Sequence, residues 1–224
     1  MRQEDTRQRI LDRALALFAS QGYDAVSVNQ IAAAAGIKAP SLYNHFAGKQ
    51  AIFDAIVAET AAQYERDTDK INIHVQNAAQ DIGVFAHITE EGLFEKVRQI
   101  FVYSLHNETI SRFRRMMTIE QFRTAELAAL YSQRYVERVC AYHAGIFRNL
   151  IAAGELRDAD ADTMALQYVA PVLTLIAICD RQPEREAECL EKLRRHVGLF
   201  YRMFQADRQQ ILEKQDPGNG KGVV

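Results

Sequence analysis

The amino-acid sequence predicts an all-α fold, with an N-terminal three-helix head that contains a helix-turn-helix and a larger C-terminal helical domain. Apolar residues recur at helical spacing along nearly the whole chain, whereas the alternating pattern of strands is rare. Gly and Pro stand mostly where helices are expected to end. The 224 residues contain 48% hydrophobic residues, which is enough to build a real core.

The first helix is predicted from about Thr6 to Gln21, and Gly22 follows it. Its apolar residues share one face, which we expect to point inward: Ile10, Leu11, Ala14, Leu15, Leu17 and Phe18. This helix forms the third side of the head.

A helix-turn-helix is predicted over residues 27–46. Ser27 and Gln30 form a capping box at the start of its first helix, and Gly36 suits the left-handed position that ends it. Pro40 fits the first position of the second helix, where its missing N–H costs nothing. Leu42 and Phe46 anchor that second helix, and four side chains point outward: Ser41, Tyr43, Asn44 and His45. A short helix with an apolar back and a polar front is typical of one that enters a DNA major groove.

The rest of the chain predicts a series of helices. We expect a helix from about residue 48, a helix end, loop and short helix within 67–88, a helix around 93–105, and an Asn107-capped helix through Met117. Further helices are predicted over about 124–153, 160–179 and 184–205.

The helix over 160–179 is apolar on nearly every side, so it must be covered from two directions. A second subunit is a natural cover, which predicts a homodimer through the last two helices, about 160–205. The longest apolar run, Tyr168 to Cys179, is too short to span a membrane and contains Pro171, so no membrane association is predicted.

Charge and cysteine content favour a cytoplasmic protein with one end suited to phosphates. Residues 1–50 carry six basic against four acidic side chains, whereas the remainder carries 21 against 25. The three cysteines are unevenly spaced, and charges crowd residues 2–13, so neither a disulfide framework nor a signal peptide is expected.

The ordered set of motifs in the first 55 residues resembles the tetracycline-repressor (TetR-type) family of bacterial transcription regulators. The set comprises Ile10 to Phe18, Gly22-Tyr23, Ser27-Val28 with Ile31-Ala32 and Ala35-Gly36-Ile37, Leu42-Tyr43 with His45-Phe46, and Lys49. The resemblance implies a homodimer on a near-palindromic operator in double-stranded DNA. It also implies a DNA-binding domain over 1–48 and a ligand-binding and dimerisation domain over 49–206. The glycine-rich composition of residues 207–224 separately predicts a disordered tail.

The resemblance assigns roles within the head. Tyr43, His45 and Lys49 would contact phosphate, Ser27 would lie beside the DNA backbone, and Lys38 would reach phosphate or base. Ser41 and Asn44 face outward and are expected to read base edges. Ala39-Pro40, at the start of the reading helix, departs from the usual family pattern of a small polar residue and Gly, which puts the operator sequence in question.

The resemblance also implies an unidentified small-molecule effector bound between the middle helices. The candidate pocket residues combine aromatic bulk with a few polar tips: Phe94, Phe101, Tyr103, His106, Phe113, Met117, Tyr135, Tyr142, His143 and Tyr168. Aromatic residues also fill protein interiors, so a plain core role is the commoner alternative for each. Among the basic residues Arg112, Arg114 and Arg115, a solvated helix face is the simplest interpretation, and pairing with an acidic ligand is the alternative.

No enzyme signature, cofactor motif or metal site is predicted. Cys140 and His143 lie one helical turn apart, but no second pair completes a zinc site. A glycine-rich phosphate loop, a nucleophile elbow and a His-Glu-x-x-His motif are all missing from the sequence. Two alternatives stay open: an architectural or cell-division DNA-binding factor without an inducer, and an enzyme with a scattered site.

Overall fold

The computed structural model describes residues 6–70, 73–74 and 77–206, and within them it is all-α, as predicted. The helices are α1 Thr6–Gln21, α2 Val28–Ala34, α3 Ala39–Tyr43, α4 Lys49–Asp69, α5 Ala78–Phe85, α6 Glu90–His106, α7 Glu108–Glu120, α8 Ala125–Ser132, α9 Arg138–Ala152, α10 Ala161–Arg181 and α11 Glu186–Phe204. A π-helical turn, Gln133–Glu137, joins α8 to α9, and a 3₁₀ turn, Pro183–Arg185, precedes α11. The predicted tail over 207–224 lies outside the described residues.

The chain folds into two compact units. The first unit comprises residues 1–71 and 102–137, and the second comprises 72–101 and 138–224. The domain boundary expected near residue 48 stays a prediction.

The core of the first unit forms where α1 packs against α2, α4 and α7. Ile10 and Phe18 on α1, Ile31 on α2 and Leu42 on α3 are completely buried there, together with Met117 on α7. The inward faces predicted for the first four helices therefore meet one another and α7. This core holds the helix-turn-helix in place from behind.

Local signals in the sequence set most helix ends. The capping box at Ser27 is formed, Asn107 caps α7, and Gly36 adopts a left-handed φ of 68° after α2. The predicted position of Pro40 is wrong by one residue, because α3 begins at Ala39 and Pro40 is second. Lys38 precedes α3 as its N-cap residue but provides no side-chain cap.

One predicted helix, over about 124–153, differs in its middle. Thr124 caps α8 and Gly154, with φ 76°, follows α9, as expected. Between them the π-helical turn Gln133–Glu137 interrupts the continuous α-helix that the sequence predicts. The hydrophobic spacing does not reveal such a turn, because the flanking helical pattern continues on both sides.

The second unit is built on α5, α9, α10 and α11, with the first part of α6. Helix α10 is long and apolar enough to cross a membrane by composition, with a mean hydropathy of 1.5 over 18 residues. Met164, Tyr168 and Cys179 are buried where α10 packs against α9 and α11, which is typical of a core helix. Apolar side chains also remain open to solvent on this pair of helices: Leu166 on α10 and Leu199 and Met203 on α11.

Candidate nucleic-acid interface and effector residues

Helix α3 presents a polar face to solvent because two apolar side chains fix its back. Leu42 is fully buried and Phe46 nearly so, whereas the Tyr43 ring between them is 56% exposed. Ser41, Asn44 and His45, which the sequence also predicts to point outward, are exposed. Lys38 and Pro40 are exposed as well, and Ala39 is half-buried. This face can reach a macromolecular surface without any change in the core.

The first helix of the motif is held by reciprocal capping. The backbone N–H of Gln30 donates to Ser27 Oγ at 3.2 Å, and the backbone N–H of Ser27 donates to Gln30 Oε1 at 2.7 Å. Arg9 on α1 adds a hydrogen bond from Nε to the carbonyl of Ala35 at 3.0 Å, next to the turn. These side-chain-to-backbone hydrogen bonds therefore fix the start of α2 and the turn that follows it.

Lys49, at the start of α4, is attached to Tyr23. Its Nζ donates to the Tyr23 carbonyl at 2.9 Å and lies 4.2 Å from the centre of the Tyr23 ring. The Tyr23 hydroxyl in turn donates to Gln50 Oε1 at 3.0 Å. An ammonium has three donors, so Lys49 keeps hydrogen-bonding capacity for a further anion.

Residues at and just after the end of α7 contact Tyr23 as well. Glu120 is buried, and its Oε1 accepts the backbone N–H of Tyr23 at 2.8 Å, while Oε2 accepts from Arg123 Nε at 2.5 Å. The Arg123 guanidinium lies 4.4 Å from the centre of the Tyr23 ring. Gly22 turns the chain into this contact with φ 82°, a backbone conformation that other residues rarely adopt. Neither Glu120 nor Arg123 belongs to a sequence motif, so the sequence gives no signal for either residue.

The ten candidate pocket residues are divided between the two units. In the first unit, Phe113 and Met117 are core residues and Tyr135 packs against that core. Tyr103 donates its hydroxyl to Asp67 Oδ2 at 2.8 Å, and His106 is exposed. The assignment of these five residues to an effector stays a prediction.

The other five candidates belong to the second unit. His143 stacks against Tyr142 and Tyr168, with both ring centres 5.1 Å from its own. Burial lowers the pKa of His143 to about 4, although its Nδ1–H donates to the Val139 carbonyl at 2.8 Å. Phe94 and Phe101 are buried as well.

A buried carboxylate accompanies these rings. Asp81 on α5 is completely buried and accepts hydrogen bonds from the Tyr142 hydroxyl and from the backbone N–H and Nδ1 of His74. These partners satisfy the carboxylate inside the protein, so it is a structural group of the fold. Sequence inspection missed it because one Asp in a short helix gives no spacing signal.

The basic residues of α7 occupy three different environments. Arg112 pairs with Glu108 and Arg115 is exposed, as a solvated face requires. Arg114 contradicts that interpretation, since it is buried and its Nη1 donates to the Ser104 carbonyl at 2.8 Å. Within the described residues, no three His, Cys, Asp or Glu side chains gather as a metal site would need, and the three cysteines are free thiols.

Comparison with known proteins covers both parts of the chain. Residues 10–56 match the family model of bacterial regulatory proteins of the tetR family, and residues 91–205 match that of the AefR-like transcriptional repressor C-terminal domain. The transcriptional regulator AcrR of Shigella flexneri is 24% identical over 203 residues, which cover 79% of this chain and 91% of AcrR.

Solved structures show the same fold. SmeT, the repressor of the multidrug efflux pump SmeDEF in Stenotrophomonas maltophilia, matches with a TM-score of 0.60 and 22% identity, covering 92% of this chain and 93% of SmeT. SmeT in complex with triclosan matches with a TM-score of 0.64, also at 22% identity, covering 92% and 94%.

Proposed function

Because this chain belongs to the TetR family of bacterial transcription regulators, which bind DNA and are not enzymes, we propose that it is a ligand-responsive repressor. It binds a palindromic operator as a homodimer in the cytoplasm, and a small-molecule inducer releases it. The observation that carries the proposal is α3, whose exposed polar face stands on a fully buried apolar back. The AefR-like repressor match over residues 91–205 supports repression over activation.

The DNA contacts divide between position and sequence. Tyr43, His45 and Lys49 contact phosphates, with Ser27 beside the backbone and Lys38 within reach of phosphate or base. Ser41 and Asn44 read base edges, and an Asn side chain pairs bidentately with adenine. Ala39 and Pro40 set the start of α3 and hence how deeply this face enters the groove. In this proposal residues 1–48 form the DNA-binding domain, and 49–206 bind the effector and the second subunit.

The dimer forms through α10 and α11. Leu166 on α10 and Leu199 on α11 are each 55% exposed, Met203 on α11 is 51% exposed, and α10 is apolar along most of its length. A second copy of the same surface covers these side chains in a two-fold interface. The two heads then enter successive major grooves, with half-sites about 34–36 Å apart or a multiple of that.

A small-molecule effector is supported by the family and by the triclosan complex of SmeT, a relative in fold. Effector binding changes the spacing of the two heads. A coupling free energy of about 1–3 kcal/mol is enough to weaken operator binding usefully.

Selection of bound DNA from a random pool tests the proposal. We expect a palindromic consensus, and a random or non-symmetric set of bound sequences would refute it. Tyr43→Ala should weaken binding to all sequences and lower the salt slope by about one unit for each phosphate that the variant no longer binds. Asn44→Ala should instead relax preference at one base pair of each half-site.

Phe122→Ala is the matched control, since this ring is 88% exposed but lies outside the helix-turn-helix. Its operator affinity should equal that of the wild type. A ligand screen distinguishes a ligand-responsive repressor from an architectural factor without an inducer. For the repressor we expect a compound that both raises the melting temperature and releases the operator, whereas for the architectural factor no compound would do both.

A further inference from the structure

Arg134 is placed differently from the other arginines near it. It lies in the π-helical turn between α8 and α9, half-buried, with its guanidinium carbon 4.7 Å from the centre of the buried Phe113 ring. Among residues 6–70, 73–74 and 77–206, no carboxylate lies within ion-pair distance of Arg134. By contrast, Arg112 pairs with Glu108 and Arg123 pairs with Glu120.

Such a position is costly unless something else satisfies the charge. An arginine side chain stays protonated in proteins and cannot escape desolvation by losing its proton. Contact with one ring face returns about 0.5–2 kcal/mol, and Tyr135 adds a side-chain hydrogen bond, but neither gives the five N–H donors of the guanidinium an acceptor of matching charge. The fork of the guanidinium therefore suits a carboxylate, which it binds through two parallel hydrogen bonds.

Tyrosine side chains surround this charge. Tyr135 lies next to Arg134 in the same turn and stacks on Tyr131, with ring centres 5.0 Å apart. Tyr64 on α4 stacks on Tyr103 at 6.1 Å. Burial raises the pKa of both Tyr64 and Tyr135, and the nearby Arg134 and Arg114 guanidiniums offset part of each rise. Two cations and several phenol rings therefore share one region of the first unit.

The backbone adds an independent indication. A π-helical turn inside a helix is rare, is less favourable than continuous α-helix, and occurs frequently at functional sites. Here it spans Gln133–Glu137 and so contains both Arg134 and Tyr135.

We propose that Arg134 is the anchor for an anionic effector, an organic carboxylate with a flat apolar body that lies against Tyr135 and Tyr64. This deepens the proposed function and rests on it, because it names the chemical class of the effector. Arg134 holds the carboxylate, and the rings provide the apolar contact. Neutral and cationic molecules of the same shape bind more weakly, since they leave the guanidinium desolvated without a counter-charge.

Three probes with one aromatic body test the charge preference: 1-naphthoate, 1-naphthalenemethanol and 1-naphthylmethylammonium. Calorimetric titration of the full-length protein should show binding of the naphthoate, weaker binding of the alcohol and none of the ammonium. Equal or tighter binding of the ammonium, or no binding of naphthoate up to millimolar concentration, would overturn the proposal.

Variants test the residue. Arg134→Gln should lower naphthoate affinity at least tenfold, and Arg134→Lys should retain part of it because the charge stays. Arg138→Gln, an exposed arginine just after the turn, should bind like the wild type. Thermal melting followed by circular dichroism shows which variants are folded, and only those are compared. Tyr135→Phe is a second, milder change, which should lower naphthoate affinity severalfold. Naphthoate affinity within twofold of wild type in folded Arg134→Gln would overturn the assignment.

Operator selection separates this proposal from the broader one, because it uses no effector. A protein that selects no palindrome fails as a repressor whatever the naphthoate result. A protein that selects one but binds naphthoate independently of Arg134 remains a DNA-binding regulator with a different effector class.

Discussion

Aromatic rings in the two units have different neighbours. In the first unit, cations lie over the rings: Lys49 and Arg123 over Tyr23, Arg7 over Phe46 at 5.2 Å, and Arg134 over Phe113. In the second unit Arg194 lies over Phe94 at 3.9 Å, but the main cluster packs ring on ring, and its members are Tyr142, His143, Phe147, Tyr168, His196, Phe200 and Phe204. The same sequence signal, aromatics at helical spacing, therefore leads to two environments.

This difference separates aromatic residues that stabilise the fold from those whose neighbouring cations are available to a binding partner. Ring-on-ring packing excludes water and charge, so it stabilises the fold and disfavours protonation of His143 inside it. A cation over a ring keeps its charge and its donors, and these groups suit phosphates and carboxylates. We therefore expect substitutions in the second unit's cluster to act mainly on stability, and those at the first unit's cations to act mainly on binding.

The largest expected effect is at Phe200, which contacts four other members of the cluster. Phe200→Ala should lower the free energy of unfolding by about 3–5 kcal/mol, because it removes a buried ring and leaves a cavity. Urea unfolding at one fixed protein concentration measures this. Phe122→Ala, at an exposed ring, should change stability by less than about 0.5 kcal/mol. Equal losses in the two variants would show that the ring cluster is not a core.

Acid should weaken the second unit through His143. Its pKa is about 4 in the folded chain against an ordinary value of 6.5, so the unfolded chain takes up the proton first. Stability is full above pH 6.5 and falls as the pH drops towards 4, by about 2–3 kcal/mol.

Unfolding curves between pH 7 and pH 4 measure this slope. His143→Gln should flatten it, whereas His45→Gln, at an exposed histidine in the head, should leave it unchanged. A slope that persists in His143→Gln would assign the acid sensitivity to other groups.

A substitution at Glu120 tests the contacts around Tyr23, where Lys49 and Arg123 lie over the ring. Glu120→Ala should cost about 1–3 kcal/mol of stability, because it leaves the backbone N–H of Tyr23 buried without an acceptor. Glu108→Ala removes an exposed carboxylate at the other end of α7 and should cost at most about 1 kcal/mol. Thermal melting of the two variants side by side checks the order, and a larger loss in Glu108→Ala would contradict it.

The sequence predicted those features that depend on neighbouring residues. The limits of α1, the capping box at Ser27, the cap at Asn107 and the left-handed Gly36 are all local, and all are present. The environment of a side chain was less predictable, because periodicity shows which face points inward but not what that face meets. For the same reason nothing in the sequence distinguishes the half-buried Arg134 from a solvent-facing arginine of a long helix.

The smallest expected effect on stability is at Lys49. This residue tests the difference between the two units most directly, because its substitution should change DNA binding far more than stability. Lys49→Met keeps the aliphatic stem over the Tyr23 ring and removes the ammonium with its hydrogen bond to the Tyr23 carbonyl. The loss in unfolding free energy should be about 0.5–1 kcal/mol, since both interactions are partly open to water. Operator affinity, measured by fluorescence anisotropy on the selected DNA, should fall by tenfold or more, with a lower salt slope. A variant that loses stability but keeps its operator affinity would show that this cation serves the fold, as the rings of the second unit do.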